Sequence, residues 1–173
     1  PAALDQLTNL LARADVRMGS HDEQTAAQRA RWRSRGVVIS EFPETVEAAE
    51  AAHAEGDPVV LGAPNVVRGG SHKGNANAVD LIRLGLCDAV ASDYHYPSLR
   101  RAALMLVRNG ICDFASAWSL ISSGPAKVLG LSDRGHLGIG KRADLTVLNA
   151  QTGRIAATIC SGRISYMNGD VAA

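Results

Sequence analysis

The chain predicts an α/β fold, a parallel sheet covered by helices, on three observations. Its short strand-like runs are almost continuously apolar, as strands buried on both faces are. A helical segment follows each run, which makes four strand-then-helix units in succession. Reactive side chains gather where the runs end, the rim on which parallel α/β enzymes build their sites, whether the sheet is an open doubly wound one or part of a (β/α)8 barrel.

Leu4, Leu7, Leu10 and Leu11 recur at helical spacing and predict a helix over 4–14. Val16-Arg17-Met18-Gly19-Ser20 reads as a short strand ending at His21. Asp22 and Glu23 open a polar helix that runs to Gly36, with acids at its start and arginines near its end as the helix dipole favours. The cluster Arg29, Arg31, Arg33 and Arg35 then reads as a solvated helix end. The second strand, Val37-Val38-Ile39-Ser40, ends in Glu41-Phe42-Pro43, and an alanine-rich helix over 44–55 stops at Gly56. Val59-Val60-Leu61 is the third strand and a Gly-rich loop over 62–75 follows it. A helix over 76–84 leads to the fourth strand, Asp88-Ala89-Val90-Ala91-Ser92, which ends at Asp93-Tyr94; Pro97 starts the next helix, to Asn109. Asp113 caps a helix through Ile121, and Ser123-Gly124-Pro125 breaks it ahead of a short helix over 126–129. Beyond residue 134 the texture changes to turns, a strand over 143–148 and a hairpin of 155–160 with 163–167 around Ser161-Gly162. Two units result, 1–134 and a small β segment over 135–173.

With 173 residues, 46% of them hydrophobic, the chain can bury a real core. A net charge of +1 with scattered basic residues argues against a dedicated nucleic-acid surface. Cys87, Cys112 and Cys160 are odd in number and far apart, which suits reduced thiols in a cytoplasmic protein better than a disulfide frame or a zinc site. No apolar run approaches the roughly 20 residues that span a bilayer, and the N-terminus lacks a basic-then-apolar signal pattern.

Chemistry concentrates at the strand ends. Arg68, Ser71, His72, Lys73 and Asn75, interspersed with glycines that let backbone N–H groups approach closely, supply donors for phosphate or carboxylate oxygens; a solvated turn is the plain alternative. His21 beside Asp22 is placed either to ligate a metal, with a neighbour orienting the ring, or to serve as an ordinary rim histidine. Asp93 directly ends a buried strand, where a carboxylate binds a metal and holds a water for general-base attack, or else caps the next turn. Glu41 is a third candidate, open to a role in the strand-to-helix turn. His53, His95 and His136 carry weaker positional arguments, no cysteine has a nucleophile-like His neighbour, and neither a Walker A pattern nor GxGxxG occurs.

Ser123-Gly124-Pro125-Ala126-Lys127-Val128-Leu129-Gly130-Leu131, followed by Gly135-His136-Leu137-Gly138-Ile139-Gly140-Lys141-Arg142-Ala143-Asp144-Leu145-Thr146-Val147-Leu148, resembles the C-terminal signature of the amidohydrolase superfamily. Ser20-His21-Asp22-Glu23-Gln24-Thr25, Ile39-Ser40-Glu41-Phe42-Pro43, the loop over 62–75 and Ser92-Asp93-Tyr94 are, in this order, similar to its phosphonate-catabolism branch. The resemblance implies the C-terminal half of a (β/α)8 TIM-type barrel, strands five to eight, followed by the C-terminal part of a small β domain. It implies hydrolysis of α-D-ribose 1-methylphosphonate 5-triphosphate to the 5-phosphate and pyrophosphate, with a divalent metal, zinc or manganese. Other amidohydrolase chemistries, deamination or cyclic amide hydrolysis, and a non-catalytic phosphate-binding module are the alternatives.

By position the resemblance assigns His21 to the metal after strand five, Asp93 to the metal and to general-base work after strand eight, and Glu41 to the place after strand six where many relatives have a second histidine. Arg68, Ser71, His72, Lys73 and Asn75 fall in the branch's loop after strand seven and are assigned to the substrate's phosphates. The branch commonly has Ser where Lys73 stands and an apolar or aromatic residue where His95 stands. The superfamily's His-x-His pair after strand one, and its Lys or Glu after strand four, have no counterpart here. A full barrel takes about 250 residues, so an N-terminal half or a partner copy is expected to complete the site.

Overall fold

The computed structural model of the protein describes residues 2–69 and 76–169. Helix α1 (Ala2–Arg13) leads into β1 (Gly19–His21), α2 (Ala26–Arg33), β2 (Ile39–Glu41), α3 (Val46–Ala54), β3 (Val59–Gly62) and α4 (Ala63–Arg68). Then come α5 (Ala78–Arg83), β4 (Ala89–Ala91), α6 (Ser98–Arg108), α7 (Phe114–Ser119) and α8 (Ser123–Val128), and after them β5 (Leu145–Leu148), β6 (Ile155–Cys160) and β7 (Arg163–Met167). The first four strands form one parallel sheet in the order β1-β2-β3-β4. The last three form a separate antiparallel sheet. The predicted alternation of strands and helices is present, and so is the predicted hairpin of β6 with β7.

Several helices start where a short polar side chain captures a free N–H of the first turn. Thr25, Thr45, Asn77 and Asp113 accept from the backbone N–H of Gln28, Ala48, Val79 and Ser116 at 3.2, 3.1, 3.0 and 2.7 Å. This shortens α2 relative to the sequence expectation: Thr25 caps it, and 22–24 belong to the turn after β1. Two further readings need correction. Residues 63–68 are not loop but a helical turn and a half, because Pro64 fits the first turn and Ala63, Pro64 and Val66 are buried. Ser123-Gly124-Pro125 does not break a helix but begins α8, again with proline in the first turn, where its missing N–H costs nothing.

Period-two alternation splits the parallel sheet into two faces. Val59, Leu61 and Val90 face the helices and join Ala49, Ala52, Leu81, Leu106 and Leu120 in the main core. Fully burying side chains such as Leu81 or Leu106, each 1% exposed, stabilises by about 2–3 kcal/mol. Val60 and Ala89 form a smaller cluster with Val128, against which Ile39 and Ala91 pack. Within the described residues, β1 and β4 are each paired on one side only. Leu7 and Leu10 on α1 are more than half exposed. No helix among the described residues is long and apolar enough to cross a membrane.

The arginine cluster is the largest departure from expectation. Arg29 is 1% exposed, not solvated. Its guanidinium donates to Glu23 Oε1 at 2.6 Å, to Ser20 Oγ at 2.7 Å and to the Val37 carbonyl, and its Nε faces Asp57 Oδ2 at 3.5 Å. Arg33 pairs with Asp57 and Glu55, and Arg35 with Asp5 at 2.6 Å. Arg31 alone of the four is fully on the surface. The acids that neutralise this cluster come from α1, the β1–α2 turn and the approach to β3, and no local pattern pairs them with it.

Candidate active site

The candidate residues lie at or just past the C-terminal ends of the parallel strands. Ser20 and Ser40 point to the helix side, where both are buried. By alternation His21 and Glu41, one residue on, lie on the opposite face. Parallel register sets His21 directly opposite Glu41 and Glu41 opposite Val60. The residues that leave the strands, Asp22, Phe42 and Asp93, all have left-handed backbone, with φ of 61°, 54° and 50°. Such angles are uncommon for non-glycine residues and cluster at functional rims.

His21 Nδ1 lies 2.8 Å from Asp22 Oδ2, and its ring meets Phe42 edge-on with centroids 5.0 Å apart. A carboxylate on Nδ1 favours the tautomer whose Nε2 lone pair points away, the form that binds a metal. A cleft of about 260 Å³ beside it is lined by His21, Asp22, Gln28, Arg31, Trp32 and Arg35 among others. Glu41 is half-buried and Asp93 is exposed. Imidazole nitrogen and carboxylate oxygen are suitable donors for zinc or manganese. Among the described residues, however, no three His, Cys, Asp or Glu side chains converge into a metal cluster. His21 and Glu41 are thus brought into register, while Asp93 stands two residues beyond the end of β4.

Arg68 ends α4 and reaches the β4 loop. Its Nη1 donates to the Tyr94 hydroxyl at 2.7 Å and its Nη2 to Asn65 Oδ1 at 2.5 Å. A guanidinium has five donors, so two bonds orient it and leave capacity for an anion. Ser71, His72, Lys73 and Asn75 lie outside the described residues. Ala76 N–H donates to the Glu44 carbonyl at 2.8 Å, just beyond β2. His95 starts the turn into α6, its carbonyl accepting from both Ser98 N–H and Oγ. Cys87 is half-buried against the main core, and desolvation of its thiol pushes it up to about 12, which removes it as a nucleophile at neutral pH.

The sequence reading missed Glu23 as a working residue. Its carboxylate, 1% exposed, accepts from Ser20 Oγ through one oxygen and from Ser40 Oγ at 3.0 Å through the other. The available signal was a serine one residue before the end of each of two consecutive strands, a polar intrusion on the face that should be apolar.

A diphosphatase for α-D-ribose 1-methylphosphonate 5-triphosphate from Escherichia coli (strain K12) is 44% identical over 142 residues, which is 81% of this chain and 38% of that protein. The chain therefore spans well under half the length of this curated relative. Among solved structures, a prolidase in complex with N-methylphosphonate-L-proline superposes with a TM-score of 0.71 at 16% identity, over 95% of this chain and 48% of that one. An N-acetylglucosamine-6-phosphate deacetylase from Thermotoga maritima gives 0.69 at 14% identity, over 94% of this chain and 56% of that one. At such identities the likeness is one of fold, and the four-stranded parallel sheet fits a partial (β/α)8 barrel. The sequence pattern of the amidohydrolase family matches residues 2–166, and the chain belongs to that family.

Proposed function

We propose that this chain is the C-terminal portion of a metal-dependent hydrolase of phosphonate catabolism, which cleaves α-D-ribose 1-methylphosphonate 5-triphosphate to the 5-phosphate and pyrophosphate. The 44% identity to the Escherichia coli diphosphatase carries this reading. In it, residues 1–134 supply the second half of the barrel and 135–173 part of a small β domain. The remaining barrel strands, with a His-x-His pair, come from the rest of the protein, which works in the cytoplasm.

His21, Glu41 and Asp93 would hold the metal together with ligands from the missing strands. Zinc or manganese supplies Lewis acidity for cleavage of a phosphoric anhydride. Asp93 accepts a proton from the attacking water, whose oxygen bonds to phosphorus as the P–O bond to the pyrophosphate leaving group breaks. Arg68, held by Tyr94 and Asn65, grips the triphosphate with Ser71, His72, Lys73 and Asn75. Charge-assisted bonds of this kind are shorter and stronger than neutral ones.

The test is pyrophosphate release by the metal-loaded full-length protein from the ribosyl triphosphate, run beside a panel of amides and nucleobases. Turnover of the triphosphate alone supports the reading. Turnover of an amide, or binding of polyphosphate without release, replaces it. Chelation should abolish activity, and Asp93→Ala should lose both activity and bound metal.

A further inference from the structure

We infer that Glu23 is a positioning residue: it clamps the register of β1 against β2 and so presents His21 and Glu41 as an adjacent pair. The inference deepens the diphosphatase reading and rests on it. Ser20 and Ser40 are register partners, and one carboxylate takes both hydroxyls, Ser20 on Oε1 and Ser40 on Oε2 at 3.0 Å. Each serine immediately precedes a rim residue, so what fixes the serines fixes His21 opposite Glu41.

A slip of one residue between the strands would turn one of the two rim side chains to the helix face. It would also strip a buried carboxylate of a hydroxyl. Arg29 completes the clamp by donating to Glu23 Oε1 at 2.6 Å and Ser20 Oγ at 2.7 Å and by holding the Ile39 carbonyl at 3.3 Å and the Val37 carbonyl. Buried polar residues are best attested in setting register. Here the strands are only three residues long, too short for ladder hydrogen bonds alone to define it firmly. Groups that orient metal ligands from behind change metal affinity by about 10–100-fold when altered.

The test uses the full-length protein stripped of metal. Ser20→Ala/Ser40→Ala removes both hydroxyls yet leaves Glu23 paired with Arg29, so the variant should fold; Ser40→Ala alone serves if it does not. Ser40→Thr restores a hydroxyl. Asp88→Asn is the stability-matched control, since Asp88 Oδ2 accepts from Val59 N–H at 2.9 Å at the far end of the sheet. Calorimetric titration with zinc or manganese should show at least a tenfold weaker affinity for the double variant, near-native affinity for Ser40→Thr, and no change for Asp88→Asn at equal melting temperature. Native affinity in the double variant, or an equal loss in Asp88→Asn, overturns the clamp while leaving the diphosphatase reading intact. A wild-type protein that neither binds these metals nor releases pyrophosphate overturns both.

Discussion

Gly124→Ala tests whether the chain closes as described. An added Cβ would stand 2.0 Å from the Asp88 carbonyl oxygen and 2.9 Å from that of Ser119. Both obstacles are backbone, so no rotamer change relieves them; α8 must withdraw from the start of β4 by more than an ångström. Overpacking of this kind costs about 1–3 kcal/mol. Withdrawal also loosens Val128 and Ala126, 5% and 6% exposed, and a buried valine is worth about 1.5 kcal/mol or more. We expect a loss of about 3 kcal/mol in urea denaturation of the full-length protein. Gly56→Ala is the comparison. Its φ is +73° but nothing lies within 4 Å of the added carbon, so only the left-handed backbone penalises it, by about 1–2 kcal/mol. A Gly124→Ala variant within about 0.5 kcal/mol of wild type, or one no worse than Gly56→Ala, would refute the close approach of α8 to β4.

Other outcomes follow from the same geometry. Arg29→Ala removes the cationic partner of buried Glu23, and loss of one partner of such a pair costs about 3–5 kcal/mol; retention of a native urea midpoint would contradict the burial at 1%. Maleimide should label Cys160, which is exposed, long before half-buried Cys87, whose thiol desolvation pushes up to about 12; equal rates would contradict that desolvation. Asp113 is held below the usual carboxylate range, first by the backbone N–H of Ser116. Its contribution is therefore complete above the unfolded-state value of about 3.9 and is lost as pH falls through the lower folded-state value. The stability advantage of wild type over Asp113→Asn should shrink below about pH 4, and a gap unchanged down to pH 2 would exclude the carboxylate as the cap. Arg68→Lys keeps the charge but not the forked geometry that reaches Tyr94 and Asn65; pyrophosphate release should show a raised KM, and an unaltered KM would take Arg68 out of phosphate binding.

Alternating apolar runs and helical segments were enough to place every strand of both sheets, the hairpin strands over 155–160 and 163–167 to the residue, although β1 begins at Gly19, three residues after the expected Val16. They were enough because burial on two faces leaves a strong local imprint: Val59, Val60 and Leu61 admit no polar residue. The order of the rim, with His21 and Glu41 ending β1 and β2 and Asp93 just beyond β4, came from the same imprint. Local pattern misjudged residues whose partners are remote in sequence. Flanking glycines make residues 63–68 read as a loop, yet Val66 is drawn into the core and the segment coils. Four arginines at alternate positions read as a solvated helix end, yet Asp57 and Glu23 stand against Arg29 in the interior.

The chain's own pattern of residues thus set its elements, its family and the placing of reactive side chains at strand ends, because each of these depends on periodicity or on short contiguous motifs. Tertiary folding set which of those side chains face one another. Glu23 bridges Ser20 to Ser40 across the register of two strands, and Tyr94 meets Arg68 from a loop 26 residues away. Such pairings are favourable only once hydrophobic burial has brought distant strands together and removed the water that would otherwise satisfy each group alone.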